Sequence, residues 1–175
     1  AESRRKPILN RLPQMVKGSQ STGAGPLIFD PSELTKLTHQ HPVLKKFSKY
    51  FVGAEEYIDG NYRFCLWFSD GDLGTVSDIP EIQNAFARIR QNRLDSSKVS
   101  THKLAETPHK FGEIRYKPTD SIIVPSHSSE RREYIPIGYL GPDSVISNAA
   151  FAIYDAKPWL FALLTSKMHM VWTRA

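Results

Sequence analysis

The chain has one cysteine, Cys65. It can hold no internal disulfide, and inside "YRFCLWF" it reads as a buried strand residue in a reducing cytoplasm. No apolar run approaches the ~20 residues that cross a bilayer, so no membrane partner is expected. The N-terminal stretch AESRRKPILNRLPQM is basic but has no apolar centre, so it is not expected to be a secretory signal. There is no internal repeat and no long heptad stripe, which argues against a solenoid or a coiled coil. Catalytic signatures are also missing: no HExxH, no Cys/His array, no phosphate loop, no GxSxG and no glycine fingerprint after a strand. Cys65 has no evident base beside it and is a poor nucleophile. Of the six histidines, His39 and His41 bracket a helix end, and His169 reads as a satisfied core imidazole.

What is present is enough for one core: 175 residues, 40% of them hydrophobic. The net charge is +5 and the pI about 9.3, but the charge is unevenly laid out. Arg4, Arg5, Lys6, Arg11 and Lys17 make the start basic. A second basic span holds Arg88, Arg90, Arg93, Lys98, Lys103, Lys110, Arg115 and Lys117. Between them, Glu55, Glu56, Asp59, Asp70, Asp72, Asp78 and Glu81 invert the sign. Such a distribution suits a polyanionic ligand and equally an ordinary solvated surface.

"GSQSTGAGPL" is a loop by composition. "DPSELTKL" predicts a helix with Asp30 as cap, Pro31 at the first helical position and Glu33 in the first turn. "HPVLKKFSKYF" predicts a second short helix after Pro42. "EEYIDGNYRFCLWF" reads as a hairpin turning at Asp59-Gly60. "SDIPEIQNAFARIRQNR" is a helix that buries Ile82, Phe86 and Ile89 while Arg88 and Gln91 face away. Leu94 to Thr107 reads as a polar connection. "GEIRY", "DSIIVP", "EYIPIGYL" and "SVISNAAFAIY" follow as strands, and "PWLFALLTSKMHMVWTR" as one helix buried on more than one face. Helices and strands are segregated more than alternated. The expected class is therefore α+β, a mixed or antiparallel sheet with several packed helices.

The candidate chemistry is recognition chemistry. In "SSERREYIPIG" the hydroxyls of Ser128 and Ser129 stand beside two guanidinium forks, Arg131 and Arg132, suited to phosphate or base edges. Pairing of these arginines with Glu130 and Glu133 would instead make the stretch a plain turn. "SNAA" places the amide of Asn148 beside small residues that allow close approach or tight packing. Ser96 to Lys103, with Lys98 and Lys103, is rich in donors for phosphates or is a solvated loop. A second pattern, Asp143 followed by Asp155-Ala156-Lys157, resembles a metal-dependent nuclease: two acids for a divalent ion and a lysine for the attacking water.

Six blocks in order, "MVKGSQ", "FVGAEEYIDGNYRFCLWF", "FGEIRY", "SSERREYIPIGYL", "SNAAFAIYDA" and "LLTSKMHMVWTR", closely resemble the target recognition domain of MmeI-like (type IIL) DNA methyltransferases. The resemblance runs from about Pro13 to Arg174. It implies a basic connector over 1–17 and a DNA target recognition domain over 18–175, a single domain excised from a larger enzyme. The implied partners are double-stranded DNA and the methyltransferase core of the same polypeptide, in a bacterial-type cytoplasm. The implied reaction, carried out by that core, is methyl transfer from S-adenosylmethionine to adenine, with no catalytic residue, metal or cofactor in this fragment. The resemblance makes Arg131 and Arg132 DNA contacts and assigns base reading to Ala149. Further reading positions fall on a segment that usually follows "MHMVWTR", beyond Ala175. With Ser128, Ser129 and Asn148, and with Lys98, Lys103 and Arg88 from the basic span, these residues form the expected DNA-binding set.

Overall fold

In a computed structural model of the chain, residues 12–174 are described. Most of the expected connector therefore lies outside the described residues. Its last residues, Met15–Lys17, form strand β1. The chain then runs through β2 (Ile28–Phe29), helix α1 (Pro31–Gln40), a 3-10 segment (Pro42–Phe47), β3 (Ser48–Val52), α2 (Ala54–Asp59) and β4 (Arg63–Leu66). Next come α3 (Leu73–Val76), α4 (Pro80–Leu94), α5 (Val99–His102) and β5 (Ser121–Pro125). The end is β6 (Gly138–Leu140), β7 (Ser144–Ile146), β8 (Ala150–Tyr154), α6 (Pro158–Leu164) and α7 (Lys167–Arg174).

The strands form two sheets, ordered β1-β8-β5-β6 and β2-β4-β3-β7. The first is antiparallel throughout. In the second only β3 and β7 run parallel. The α+β class holds, with two sheets where the sequence suggested one. The largest core packs α1 and α4 on the second sheet through Leu34, Leu37, Phe47, Leu66, Ile82 and Phe86. Val52, Ile123, Ile146 and Ala152 fill the space between the sheets. Ile122, Ile137, Ile153 and Leu160 cover the far face of the first sheet with α6. Cys65 is buried in β4, where desolvation pushes its thiol up to about 12.

Local signals explain where the expectations held and where they failed. Helix α1 starts as read: the Glu33 carboxylate accepts the Asp30 N–H at 3.0 Å, and Pro31 opens the helix. The expected hairpin over 55–68 is instead α2 followed by β4. Glu56 falls at the third helical position and accepts the Gly53 N–H at 3.0 Å, a capping contact that favours the helix. Gly60 does take a positive φ, +73°, but as the helix stop. The short helix after Pro42 is a 3-10 segment that ends where β3 begins.

"GEIRY" forms no regular strand. The N–H groups of Arg115 and Tyr116 both donate to the side-chain Oγ of Ser19, at 3.0 Å each. "EYIPIGYL" is extended into a ladder only over Gly138–Leu140. The connection after Leu94 contains α5 and a 3-10 turn, Lys103–Glu106. The C-terminal stretch is two helices, and it leaves Trp159, Leu163, Met168, Val171 and Trp172 exposed instead of burying them. His169 is half-buried there, its Nδ1 2.7 Å from the Leu164 carbonyl.

"SVISNAAFAIY" is two strands in different sheets, joined by a turn at 147–149. Backbone bonds fix that crossing. Ser147 N–H donates to Val52 O (2.9 Å), Asn148 N–H to Ser19 O (3.0 Å), Ser19 N–H to Ile146 O (2.7 Å) and Gly18 N–H to Ala150 O (3.0 Å). Gly18 lies so close that a Cβ there would stand 2.2 Å from Ser147 O and 2.4 Å from Ile146 O. Gly18→Ala must push main chain rather than a flexible side chain. It is expected to lose about 1–3 kcal/mol, read as a lower urea midpoint at unchanged slope.

Candidate nucleic-acid interface

Asn148 and Ala149 stand exposed at the tip of the β7–β8 turn. Their backbone is pinned on both sides: the Ser126 hydroxyl donates to Ala149 O at 2.6 Å, and Ala149 N–H donates to Ser147 Oγ at 3.4 Å. Gly53 keeps the neighbourhood open, since a Cβ there would be 2.8 Å from Ser147 Oγ and 3.5 Å from the Ala149 Cβ. The result is a groove of about 400 Å³ whose walls include Glu56, Arg63, Ser126, His127 and Ala149. Arg63 donates to Glu56 through Nε (3.0 Å) and Nη2 (2.5 Å), so those two charges offset each other.

The 126–137 loop springs from the same end of the first sheet, because Pro125 at the end of β5 is paired with Ala150 at the start of β8. Ser129 shapes the loop. Its carbonyl accepts the Arg132 N–H (3.1 Å) and its Oγ the Arg131 N–H (3.3 Å). The Arg174 guanidinium holds the loop from α7, donating through Nη2 to the carbonyls of Arg132 (2.5 Å) and Glu133 (3.1 Å). Arg131, Arg132, Ser128 and Ser129 are all exposed. Among the described residues, no ion pair joins Arg131 or Arg132 to Glu130 or Glu133. The pairing that would have made this a plain turn is not made.

The remaining expected residues are dispersed. Lys98 lines a second cleft, of about 570 Å³, with Ser96, Ser97, Ser100, Thr101 and Gln20. Lys103 is exposed at the start of the following 3-10 turn. Arg88 shares a depression with Glu33 and Glu81, two acids that work against an anionic ligand there. The nuclease pattern is not assembled. Asp143 is ion-paired with Lys49, whereas Asp155 is 2.6 Å from Lys117. That hydrogen bond from Lys117 holds the Asp155 carboxyl below the usual range. The two acids line separate depressions. Among the described residues no group of three or more His, Cys, Asp or Glu gathers to hold a metal.

Sequence reasoning missed Arg93. Counted with the basic span, it is fully buried. No sequence signal marked it beyond its place four residues after Ile89, on the buried face of α4. Among the described residues, no helix is long and apolar enough to cross a membrane.

Comparison with known proteins places this arrangement. The chain is 39% identical over 173 residues to DNA methyltransferase A of Bacillus subtilis (strain 168), a match covering 99% of this chain and 20% of the relative. Its fold matches a solved structure of the Type IIL restriction-modification enzyme MmeI in complex with DNA, with a TM-score of 0.86 and 35% identity. That match covers 98% of this chain and 23% of MmeI. The chain thus spans about a fifth of the length of the relatives it matches. The family model of the MmeI target recognition domain covers residues 1–175, and with the fold and the sequence agreeing end to end, the chain belongs to that family.

Proposed function

We propose that this chain is the part of a larger restriction-modification methyltransferase that recognises a double-stranded DNA sequence, and that it is non-catalytic by itself. The observation that carries this reading is the match in fold to an enzyme solved with DNA, in a chain whose exposed turn and exposed arginine loop share one end of a sheet. The turn, with Asn148 and Ala149, offers an amide and a small side chain on a pinned backbone, suited to base edges. The Arg131–Arg132 loop, with Ser128 and Ser129, offers two exposed forks and two hydroxyls, and Lys98 and Lys103 extend the positive surface for phosphates. Arg88, facing two acids, contributes least. Methyl transfer from S-adenosylmethionine to adenine belongs to the remaining four-fifths of the polypeptide, in a bacterial-type cytoplasm. No residue of this chain is assigned to the methyl donor, or to the pocket that must hold a flipped base.

Selection from a randomised duplex pool at low and moderate salt tests this. An enriched asymmetric motif, or salt-sensitive retention without enrichment, supports recognition or phosphate contact respectively. No retention at low salt overturns the reading. Arg131→Ala and Arg132→Ala then separate two roles. A phosphate contact, once lost, weakens every sequence and makes the log–log salt dependence shallower by about one unit. A guanine contact, once lost, costs about 1–3 kcal/mol at one base position only.

A further inference from the structure

We propose that the cleft between α4, α5 and the Gln20–Gly23 loop is a seat for one phosphodiester of the duplex backbone; this rests on the DNA reading above.

The wall of the cleft carries a buried, uncompensated positive charge. Arg93 is 0% exposed. It donates to five backbone carbonyls, those of Ser21, Thr22, Leu104, Thr107 and Lys110. Carbonyl dipoles satisfy its N–H groups, but no carboxylate pairs with it among the described residues. A guanidinium stays protonated under such burial, although desolvation lowers its pKa. The field of that charge reaches the cleft through protein rather than water, where screening is weaker. Arg93 itself need not touch the ligand, since all its donors are committed.

The contacts come from the lining. Lys98 is exposed and has no ion pair among the described residues. The side chains of Gln20, Ser97, Ser100 and Thr101 also line the cleft and make no hydrogen bond within the described protein. The lining carboxylate, Glu113, lies 3.7 Å from Arg115 Nη2, which offsets it.

The loop shape is held at a cost. Thr22 has φ +44°, an uncommon conformation for a β-branched residue. Arg93 Nε holds its carbonyl at 2.9 Å. Gly112 makes room for it, because a Cβ there would be 2.3 Å from Thr22 Oγ1. The cleft also adjoins the reading turn: Gln20 lines it, and the neighbouring Ser19 carbonyl accepts the Asn148 N–H. A duplex lying on Asn148 and Ala149 has a donor-lined, positively biased cleft beside it for its backbone.

The test is equilibrium binding of the full chain to a labelled mixed-sequence duplex at several salt concentrations. Lys98→Ala is expected to weaken binding about three- to tenfold for every sequence, and to make the log–log salt dependence shallower by about one unit. A Ser100→Ala, Thr101→Ala double variant is expected to weaken binding several-fold with the slope unchanged. Lys36→Ala, an exposed lysine of α1, serves as control. Unchanged affinity and slope in both cleft variants, with the parent chain still binding, overturns the seat and leaves the recognition reading standing. A loss confined to one sequence class overturns it too, since that marks base reading. If millimolar inorganic phosphate moves the Ser100 and Thr101 amide signals while Lys98→Ala leaves duplex binding intact, the site belongs to a free anion and the duplex assignment fails. A parent chain that binds no duplex at all overturns both readings together.

Discussion

Replacing Arg93 by methionine is expected to lower the free energy of unfolding by about 3–5 kcal/mol, one of the largest effects available in this chain. Among the described residues the side chain joins no ion pair, so the loss comes from its acceptors. Its guanidinium satisfies the carbonyls of Leu104 (2.6 Å), Lys110 (2.6 Å), Thr22 (2.9 Å), Thr107 (2.9 Å) and Ser21 (3.5 Å). Ser21 O, Leu104 O and Thr107 O also accept backbone N–H groups, whereas the carbonyls of Thr22 and Lys110 have no other donor among the described residues. Methionine fills the space of the aliphatic stem and donates nothing, leaving the Thr22 and Lys110 carbonyls bare at about 1–3 kcal/mol each and weakening the other three, less what water entering the cleft recovers. Lysine in the same place retains a charge but offers a point donor instead of a planar fork, so Arg93→Lys is expected to fall between the two. Urea unfolding of the three proteins decides it. A methionine variant within about 1 kcal/mol of the parent means that the loops rearrange freely, and the rigidity ascribed to the cleft then goes with it.

That residue also shows where the sequence stops being readable. Helix α1 was legible because its start is a local contact, Glu33 back to Asp30, and α4 because Ile82, Phe86 and Ile89 repeat at helical spacing. The stretch 54–60 carried two competing local signals, a capping glutamate and an Asp-Gly pair, and the cap prevailed. The C-terminal stretch carried a break that could have been seen: Ser166 Oγ accepts the His169 N–H at 3.2 Å, opening α7. Its apolar residues looked buried because side-chain type alone cannot tell a covered face from an open one. Arg93 depended on five carbonyls spread from residue 21 to residue 110, contacts no window along the chain contains. The same holds for the strand switch at 147–149. The run from Ser144 to Tyr154 is extended and apolar on either side, and only Val52 and Ser19, far away in sequence, show that it passes from one sheet to the other.

The candidate site could be read as chemistry more readily than as geometry. Asn148 and the arginine loop were singled out by residue type and Ala149 by the family resemblance, but their sharing one end of the first sheet follows from the Pro125–Ala150 register. Arg88, equally basic on paper, faces Glu33 and Glu81. Asp143 and Asp155, which looked like a pair, are bound to different lysines. Charge along the chain records how many ionic groups exist. Which of them remain free is decided by partners that folding brings from elsewhere.

Ala149→Arg is expected to change the selected DNA motif at a single position, with guanine favoured there by about 1–3 kcal/mol, or roughly 5- to 150-fold. The backbone at this position is already fixed by Ser126, Ser147 and the Asn148–Ser19 bond, so a new side chain should not disturb the turn. Ala149 is exposed and borders a groove of about 400 Å³, and the neighbouring Gly53 has no side chain to crowd it. Stability should therefore stay within about 0.5 kcal/mol of the parent. An added guanidinium also raises affinity for all duplexes through phosphate attraction, and that effect is separable because it fades with salt while base preference persists. The informative comparison is the motif enriched from a randomised pool by parent and variant at the same moderate salt. An unchanged motif, or a uniform gain across all positions, means that the turn touches backbone and the reading residues lie elsewhere. A switch at one base pair, with the rest of the motif intact, assigns that base pair to Ala149.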